Sequence, residues 1–317
     1  MNKKVFCLRN HQAYSIEKRR RKLGYIMLIP ATIVILVVSV YPLLYGIYLS
    51  FRNQHFLKPL RNDFVGLANY VELVTDKNFV NAIGYTLYYT LGIVLFSYLL
   101  GMVISLLLNR KIVMRGAMRA LVLIPWVIPS TVAATNWRWL LDVHVGFVNT
   151  VLVGLGLLEK PIAFLADPAY VRNVVVVFGI WKAFPFMTLT LLSGLQGISS
   201  DIYEAATIDG ANGWQTFRRI TLPLLRPVSF VALTLMCIWT FNNFENIYLF
   251  TEGGPRKYTT TISIFTYKTA FFSSDISYAC ASGTAMMFFM ALFGFVYMKL
   301  LTADEDASEK KMRRVKG

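Results

Sequence analysis

The sequence contains few of the side chains that bind metals or form disulfides. Its 317 residues include only three cysteines and three histidines. The cysteines are too far apart for a Cys-x-x-Cys motif and are Cys7, Cys237 and Cys280. The histidines form no His-Glu-x-x-His motif, lie outside the long apolar runs, and are His11, His55 and His144. We therefore expect no disulfide, no metal site and no bound cofactor.

The signatures of catalysis and of ATP hydrolysis are also missing. The chain has only 17 aspartates and glutamates, and no apolar run contains two of them. A pair of catalytic carboxylates at membrane depth is therefore excluded. A Walker loop, Gly-x-x-x-x-Gly-Lys-Ser/Thr, is absent. We predict that the chain is not an enzyme and that any ATP is hydrolysed by a separate partner protein.

Long apolar runs, in contrast, make up most of the chain. Hydrophobic residues account for 56% of the sequence and charged residues for 15%. Six runs are long enough to cross a bilayer, so we predict six transmembrane helices. They lie at about 25–49, 82–108, 117–141, 173–195, 227–250 and 276–301. Residues 25–301 then form one membrane domain, preceded by a basic segment, 1–24, and followed by a charged tail, 302–317.

The positions of the lysines and arginines predict how the chain is oriented in the membrane. The net charge is +15, but the lysines and arginines cluster at the ends of the apolar runs and not on a surface for nucleic acid. One set of segments holds 20 of them, and these segments are 1–24, 109–119, 196–226 and 302–317. The other set holds 8 and comprises 52–80, 141–170 and 251–275. We therefore place both termini in the cytoplasm, with the basic amino-terminal segment on anionic lipid.

The most specific pattern lies in the polar segment 197–223, between the fourth and fifth runs. Glu204-Ala205-Ala206 is followed after three residues by Gly210, after nine more by Ile220, and then by Leu222-Pro223. Helix-start residues stand before this pattern, and glycines interrupt it. We predict a short helix, a break and a second short helix that ends at Pro223.

This pattern resembles the EAA loop of ABC-importer permeases at all seven of its fixed positions. We call 197–223 the EAA loop. In the family this loop is a coupling helix that docks into a cleft of the cytoplasmic ATPase. The resemblance implies that the coupling residues are Glu204, Ala205, Ala206, Asp209, Gly210, Ile220, Leu222 and Pro223. A second string, from Phe64 to Tyr70, is similar to one that follows the first helix in sugar-type permeases.

The resemblance also implies a fold, a location and partners. The fold is an all-α integral membrane protein with six transmembrane helices and a cytoplasmic coupling helix, the type I ABC importer permease fold. The location is the cytoplasmic membrane of a bacterium or archaeon. The partners are a homologous second permease subunit, two cytoplasmic ATP-binding subunits and an extracytoplasmic solute-binding protein. The cargo is a sugar or oligosaccharide, as in permeases of the maltose and glycerol-phosphate type.

Two apolar runs contain polar groups that lipid would penalise. Lys182 lies inside the fourth run, where it could meet a substrate or pair with a neighbouring carbonyl. Three asparagines alternate with aromatic residues in 239–248, a combination that suits the hydroxyl edges and apolar faces of a sugar. Hydrogen bonding to the partner subunit is the alternative. The resemblance to the maltose-type permease, in which the corresponding Asn-rich segment lines the sugar pocket, implies that Trp239, Thr240 and Asn243 line the path, with Ala183 and Phe186 from the fourth run. The full set of candidate path residues is Lys182, Ala183, Phe186, Trp239, Thr240, Asn242, Asn243 and Asn246.

Other transport classes remain open. A permease of the same architecture could carry a solute that is not a sugar. An ion-coupled secondary transporter would need a carboxylate near the middle of the membrane, and Glu245 is the only candidate in the apolar runs. A six-span ion channel would need a filter loop, which the sequence does not show.

Overall fold

The computed structural model describes residues 21–110 and 113–316. Its elements in chain order are α1 (Arg21–Ser50), β1 (Arg52–His55), β2 (Lys58–Phe64), α2 (Ala68–Thr75), α3 (Lys77–Asn109), α4 (Arg115–Val127), α5 (Ser130–Leu140), α6 (Phe147–Gly154), α7 (Pro168–Gln196), α8 (Ser200–Ile208), α9 (Gly213–Phe241), α10 (Glu245–Thr251), α11 (Ile262–Phe271) and α12 (Ile276–Lys316). The predicted amino-terminal segment lies largely outside the described residues.

The predicted helical membrane fold is confirmed. Within the described residues, α1, α3, α7, α9 and the first part of α12, Ile276–Phe295, are long and apolar enough to cross a membrane. Helices α4 and α5 together form the remaining span, which is the third along the chain. This span is bent by 91° at the break between the two helices. Helix α12 continues to Lys316, beyond the predicted end of the last span at 301.

A small antiparallel hairpin, β1–β2, lies between α1 and α2. It is anchored by two residues of the Phe64–Tyr70 string. The amide of Asn69 donates to the carbonyls of Ser50 and Arg52, each at 2.8 Å, and the Tyr70 hydroxyl lies 2.6 Å from Ser50 Oγ. These bonds fix the hairpin to the end of α1. The string therefore has a local structural role in this chain.

The third span is broken at Ile128–Pro129. Pro129 lacks a backbone N–H and disfavours helical geometry in the residue before it. Ile128 accordingly has extended ψ of 129°, and Pro129 has ψ of 140°. Helix α5 then restarts at Ser130 in a nearly perpendicular direction.

The fifth span differs from the prediction at both ends. Helix α9 begins at Gly213 and passes through Pro223, so the predicted short helix ending at Pro223 is wrong. A π-helical turn, Phe217–Thr221, precedes the proline, and the Leu222 N–H donates to the Phe217 carbonyl five residues back. The hydrogen-bond pattern thus shifts just before Pro223, which has no N–H to donate. At the other end the helix stops at Phe241 and not at 250, and a separate helix, α10, follows after a short break.

Helices α3 and α7 form the centre of the bundle. Large side chains of both are fully buried there, among them Tyr89, Ile93, Phe178 and Met187. Gly101 allows the two helices to approach closely, because a Cβ atom at this position would lie 2.7 Å from Met187 Cβ and 3.0 Å from Thr188 N. The most apolar part of α1, in contrast, is not buried within this chain.

We expect Gly101→Ala to destabilise the protein by about 1–3 kcal/mol, because the added methyl group meets the backbone of α7. The matched control is Gly84→Ala on the same helix, where a Cβ meets no atom within 4 Å. Alanine favours helix over glycine by about 1 kcal/mol, so the control should be neutral or stabilising. Thermal unfolding of the purified proteins in detergent measures both, and equal melting temperatures for the two variants would contradict this packing.

Candidate functional site

The EAA loop folds into a helix that stands clear of the bundle. Helix α8 begins after Ser199, whose side chain accepts a hydrogen bond from the Asp201 N–H at 3.3 Å. Of the predicted coupling residues, Glu204, Ala205 and Asp209 are exposed, whereas Ala206 is buried. The loop therefore presents acidic and small side chains to the solvent on one face.

Two large apolar side chains extend this exposed surface. Ile208 is 86% exposed, and Trp214, at the start of α9, is 67% exposed. Neither was among the predicted coupling residues, although isolated large apolar residues in a polar loop were a usable signal. We call Glu204, Ala205, Ile208, Asp209 and Trp214 the loop surface. Exposed apolar side chains rimmed by charged ones are typical of a protein interface.

Gly210 reverses the chain at the end of α8. Its φ of +75° lies in the left-handed region that favours glycine. The reversal lets the Ala211 N–H donate to the Ala206 carbonyl at 2.9 Å, and the Gly210 N–H to the Thr207 carbonyl at 3.1 Å. These bonds close the helix end by satisfying carbonyls that it would otherwise leave unpaired.

The second half of the motif connects the loop to the bundle. The hydroxyl of Tyr203 in α8 lies 3.3 Å from Thr221 Oγ1 in the π-helical turn. Ile220 and Leu222 are half-buried, and Pro223 is exposed. Leu222 packs against the buried cluster of Met102, Leu191, Leu195 and Leu225. The motif thus spans both the exposed helix and its attachment to α3, α7 and α9.

A cavity of about 260 Å³ lies inside the bundle between α3, α7, α9 and the two helix breaks. Seven of the eight predicted path residues line it, namely Lys182, Ala183, Phe186, Trp239, Thr240, Asn243 and Asn246. The eighth, Asn242, does not. Its side chain is exposed and donates to the Ile238 carbonyl at 2.8 Å, one turn back along α9.

The cavity also has lining residues that were not predicted from the sequence. They are Tyr89, Ile93, Trp126, Ser130, Gly179 and Met236. Trp126 and Ser130 stand on either side of the break in the third span, and each follows a proline, Pro125 or Pro129. Tyr89, Ile93, Gly179 and Met236 are ordinary residues for a transmembrane helix, so no sequence signal identified them.

The cavity wall combines aromatic faces with amide groups. The rings of Phe186 and Trp239 meet edge to face, with centroids 4.9 Å apart. Asn243 Oδ1 accepts from the Asn246 N–H at 3.2 Å. The Oδ1 atom of Asn246 is buried and has no hydrogen-bond partner among the residues that the structure describes. Leaving a buried polar atom unpaired costs about 1–3 kcal/mol, so this oxygen is a candidate acceptor for a ligand donor.

The Lys182 ammonium makes a hydrogen bond to the backbone. Its Nζ donates to the Ile128 carbonyl at the break between α4 and α5, at 2.6 Å. The Glu245 carboxylate, in the first turn of α10, is close enough to attract the same ammonium electrostatically. Glu245 itself is exposed and does not line the cavity. In the part of the chain that the structure describes, no three metal-binding side chains come together.

Long apolar helices around a polar cavity, with a helical loop outside the bundle, define a multi-span membrane permease. The comparison with known families agrees, because residues 82–313 match the binding-protein-dependent transport system inner membrane component. This chain belongs to that family. It is therefore a transport subunit and not an enzyme.

Individual relatives are similar over most of their length. The trehalose/maltose transport system permease protein MalF of Thermococcus litoralis is 35% identical over 92% of this chain and 97% of its own. A crystal structure of a bacterial ABC transporter that imports the acidic polysaccharide alginate contains a chain with a TM-score of 0.76 and 25% identity, covering 90% of this chain and 99% of that one. A second structure shows an alginate transporter with its pentasaccharide-bound periplasmic protein, with a TM-score of 0.75, 26% identity, and coverage of 89% and 94%.

We expect Gly210→Ala to loosen the end of α8, because the left-handed region costs alanine about 1 kcal/mol or more. Gly213→Ala is the matched control, since an added Cβ has no atom within 4 Å at either glycine but only Gly210 has positive φ. Trypsin cleavage after the exposed Arg218 measures opening of the loop. Cleavage should be about fivefold faster in Gly210→Ala than in Gly213→Ala, and equal rates would speak against strain at this glycine.

Proposed function

We propose that this chain is one of two homologous permease subunits of an ATP-driven importer and forms half of the path for a sugar or oligosaccharide. The observation that carries the proposal is the cavity, where paired aromatic rings stand beside an unpaired buried amide oxygen. Aromatic faces suit the C–H faces of a sugar ring, and amides suit its hydroxyls. The relatives named for trehalose, maltose and alginate support the same class of cargo.

The size of the cavity supports a shared path. Its volume of about 260 Å³ is below the range of about 300–1,000 Å³ that is usual for complete small-molecule sites. A second, homologous subunit that faces it supplies the other half. The apolar and exposed α1 is available to pack against that subunit.

The complete importer has two ATP-binding subunits, one for each permease subunit. The loop surface of this chain is the proposed contact with one of them. Glu204, Ala205 and Asp209 offer charge and close approach, and Gly210 ends the helix. The buried Ala206 belongs to the same helix, and Ile220, Leu222 and Pro223 lie in α9, to which the Tyr203–Thr221 contact joins that helix. These residues therefore carry movement of α8 to the bundle. ATP-driven closure of the ATPases then switches the access of the cavity from one side of the membrane to the other.

The location follows from this assignment. The permease domain, 25–301, lies in the cytoplasmic membrane of a bacterium or archaeon, with the EAA loop, the basic segment 1–24 and the tail 302–317 on the cytoplasmic side. The hairpin β1–β2 and the starts of α3, α7 and α12 lie on the other side. An extracytoplasmic solute-binding protein delivers the sugar there.

Replacing Asn246 tests the cavity as the sugar path. We expect Asn246→Ala to raise the KM for uptake of the transported saccharide about fivefold to tenfold, because one buried acceptor for a hydroxyl is lost. The matched control is Asn242→Ala, which removes an exposed amide outside the cavity lining. Uptake of labelled trehalose, maltose and an oligouronate, measured in cells that lack the chromosomal copy, gives the KM of each variant. If Asn242→Ala changes KM as much as Asn246→Ala, the cavity is not the path.

A further inference from the structure

The break between α4 and α5 interrupts the backbone hydrogen bonds of a transmembrane segment. A carbonyl at such a break must find another donor, because lipid supplies none. Beyond the break, the Ala133 N–H donates to the Pro129 carbonyl at 3.0 Å, so the new helix accounts for that group. The Ile128 carbonyl is satisfied by the ammonium of Lys182, at 2.6 Å, from the middle of α7.

This contact lies at the edge of the cavity, where the chain turns at Ile128–Pro129. We call this turn the corner. Trp126 precedes the break, Ser130 follows it, and both line the cavity together with Lys182. Away from the corner, α5 is already held to α7 by aromatic packing, because the ring of Trp137 lies 5.5 Å from both Phe178 and Trp181. The lysine therefore fixes the part of the broken span that lines the cavity.

The charge of the lysine is compensated within the chain. Its ammonium donates a short charge-assisted hydrogen bond to a carbonyl at the end of a helix, where cations are favoured. Glu245 adds electrostatic attraction from α10. The other cavity-lining residues, including Ser130, Thr240 and Asn243, are uncharged. Among the described residues that line this cavity, Lys182 is the only cation, so no second one is present to bind a carboxylate of the cargo.

We infer that Lys182 is a positioning residue that holds the corner at Ile128–Pro129 against α7, and that it does not recognise a charge on the cargo. The inference rests on the proposed function, since it assigns a role within the sugar path. It follows that this half of the path is shaped for an uncharged saccharide, in contrast to the alginate importers that share the fold.

The test separates the position of the corner from transport. Ser130→Cys is introduced in a chain whose three cysteines, Cys7, Cys237 and Cys280, are replaced by serine, and the rate of labelling by a water-soluble maleimide reports access to the corner. Lys182→Met, which keeps the length but loses the donors, should raise the labelling rate about tenfold. Lys182→Arg should return it to within about twofold of the parent, since arginine keeps a charged donor. Lys77→Met, at an exposed lysine, is the control and should have no effect.

Uptake in the otherwise wild-type chain provides the second measurement. Lys182→Met should raise the KM for neutral disaccharides, and Lys182→Arg should largely restore it. An effect of Lys182→Met confined to an oligouronate, with an unchanged labelling rate in the Ser130→Cys chain, would overturn the inference. Unchanged labelling overturns it whichever saccharide is affected. If the parent chain transports no saccharide, the sugar assignment fails, while the labelling result still decides whether Lys182 positions the corner.

Discussion

The structure depends on one constraint, which is that every backbone polar group inside the membrane needs a partner within the protein. Continuous helices meet it for most of the chain. Two spans break, one at Ile128–Pro129 and one after Phe241, and both breaks adjoin the cavity. The side chains that satisfy or follow these breaks, Lys182 and Asn243 among them, are the polar groups of the cavity wall. Polar chemistry at membrane depth thus occurs where the helices are interrupted.

The same need for backbone partners explains the EAA loop on the outside of the bundle. Helix α8 is short, so its ends matter more than its length. Ser199 caps one end, and the left-handed Gly210 lets Ala211 close the other. The helix is therefore ordered without being buried, which leaves its loop surface free for a partner. Its attachment through Thr221 and Leu222 connects that surface to the same helices that line the cavity.

The membrane spans were predictable because their length and apolarity are properties of local sequence. The EAA loop was predictable because its spacing is specific. Lys182 and Asn243 were noticed because polar groups in apolar runs are costly, whereas Ala183, Phe186 and Trp239 came from the resemblance to maltose-type permeases. Other features depend on contacts that sequence periodicity does not reveal. Pro223 lies within a helix that passes through a π-helical turn, Asn242 turns away from the cavity, and Tyr89 and Met236 line it only because of how α3 and α9 pack.

We propose that ATP drives transport through the EAA loop. An ion gradient acting on a carboxylate in the membrane is then not the energy source. Glu245, the one acidic residue of the predicted spans, is exposed and outside the cavity lining. The most direct test measures uptake of labelled saccharide in cells whose proton gradient has been collapsed while ATP is maintained. We expect uptake to continue under these conditions and to stop when ATP is depleted. Uptake that stops as soon as the gradient collapses, with ATP unchanged, would contradict it.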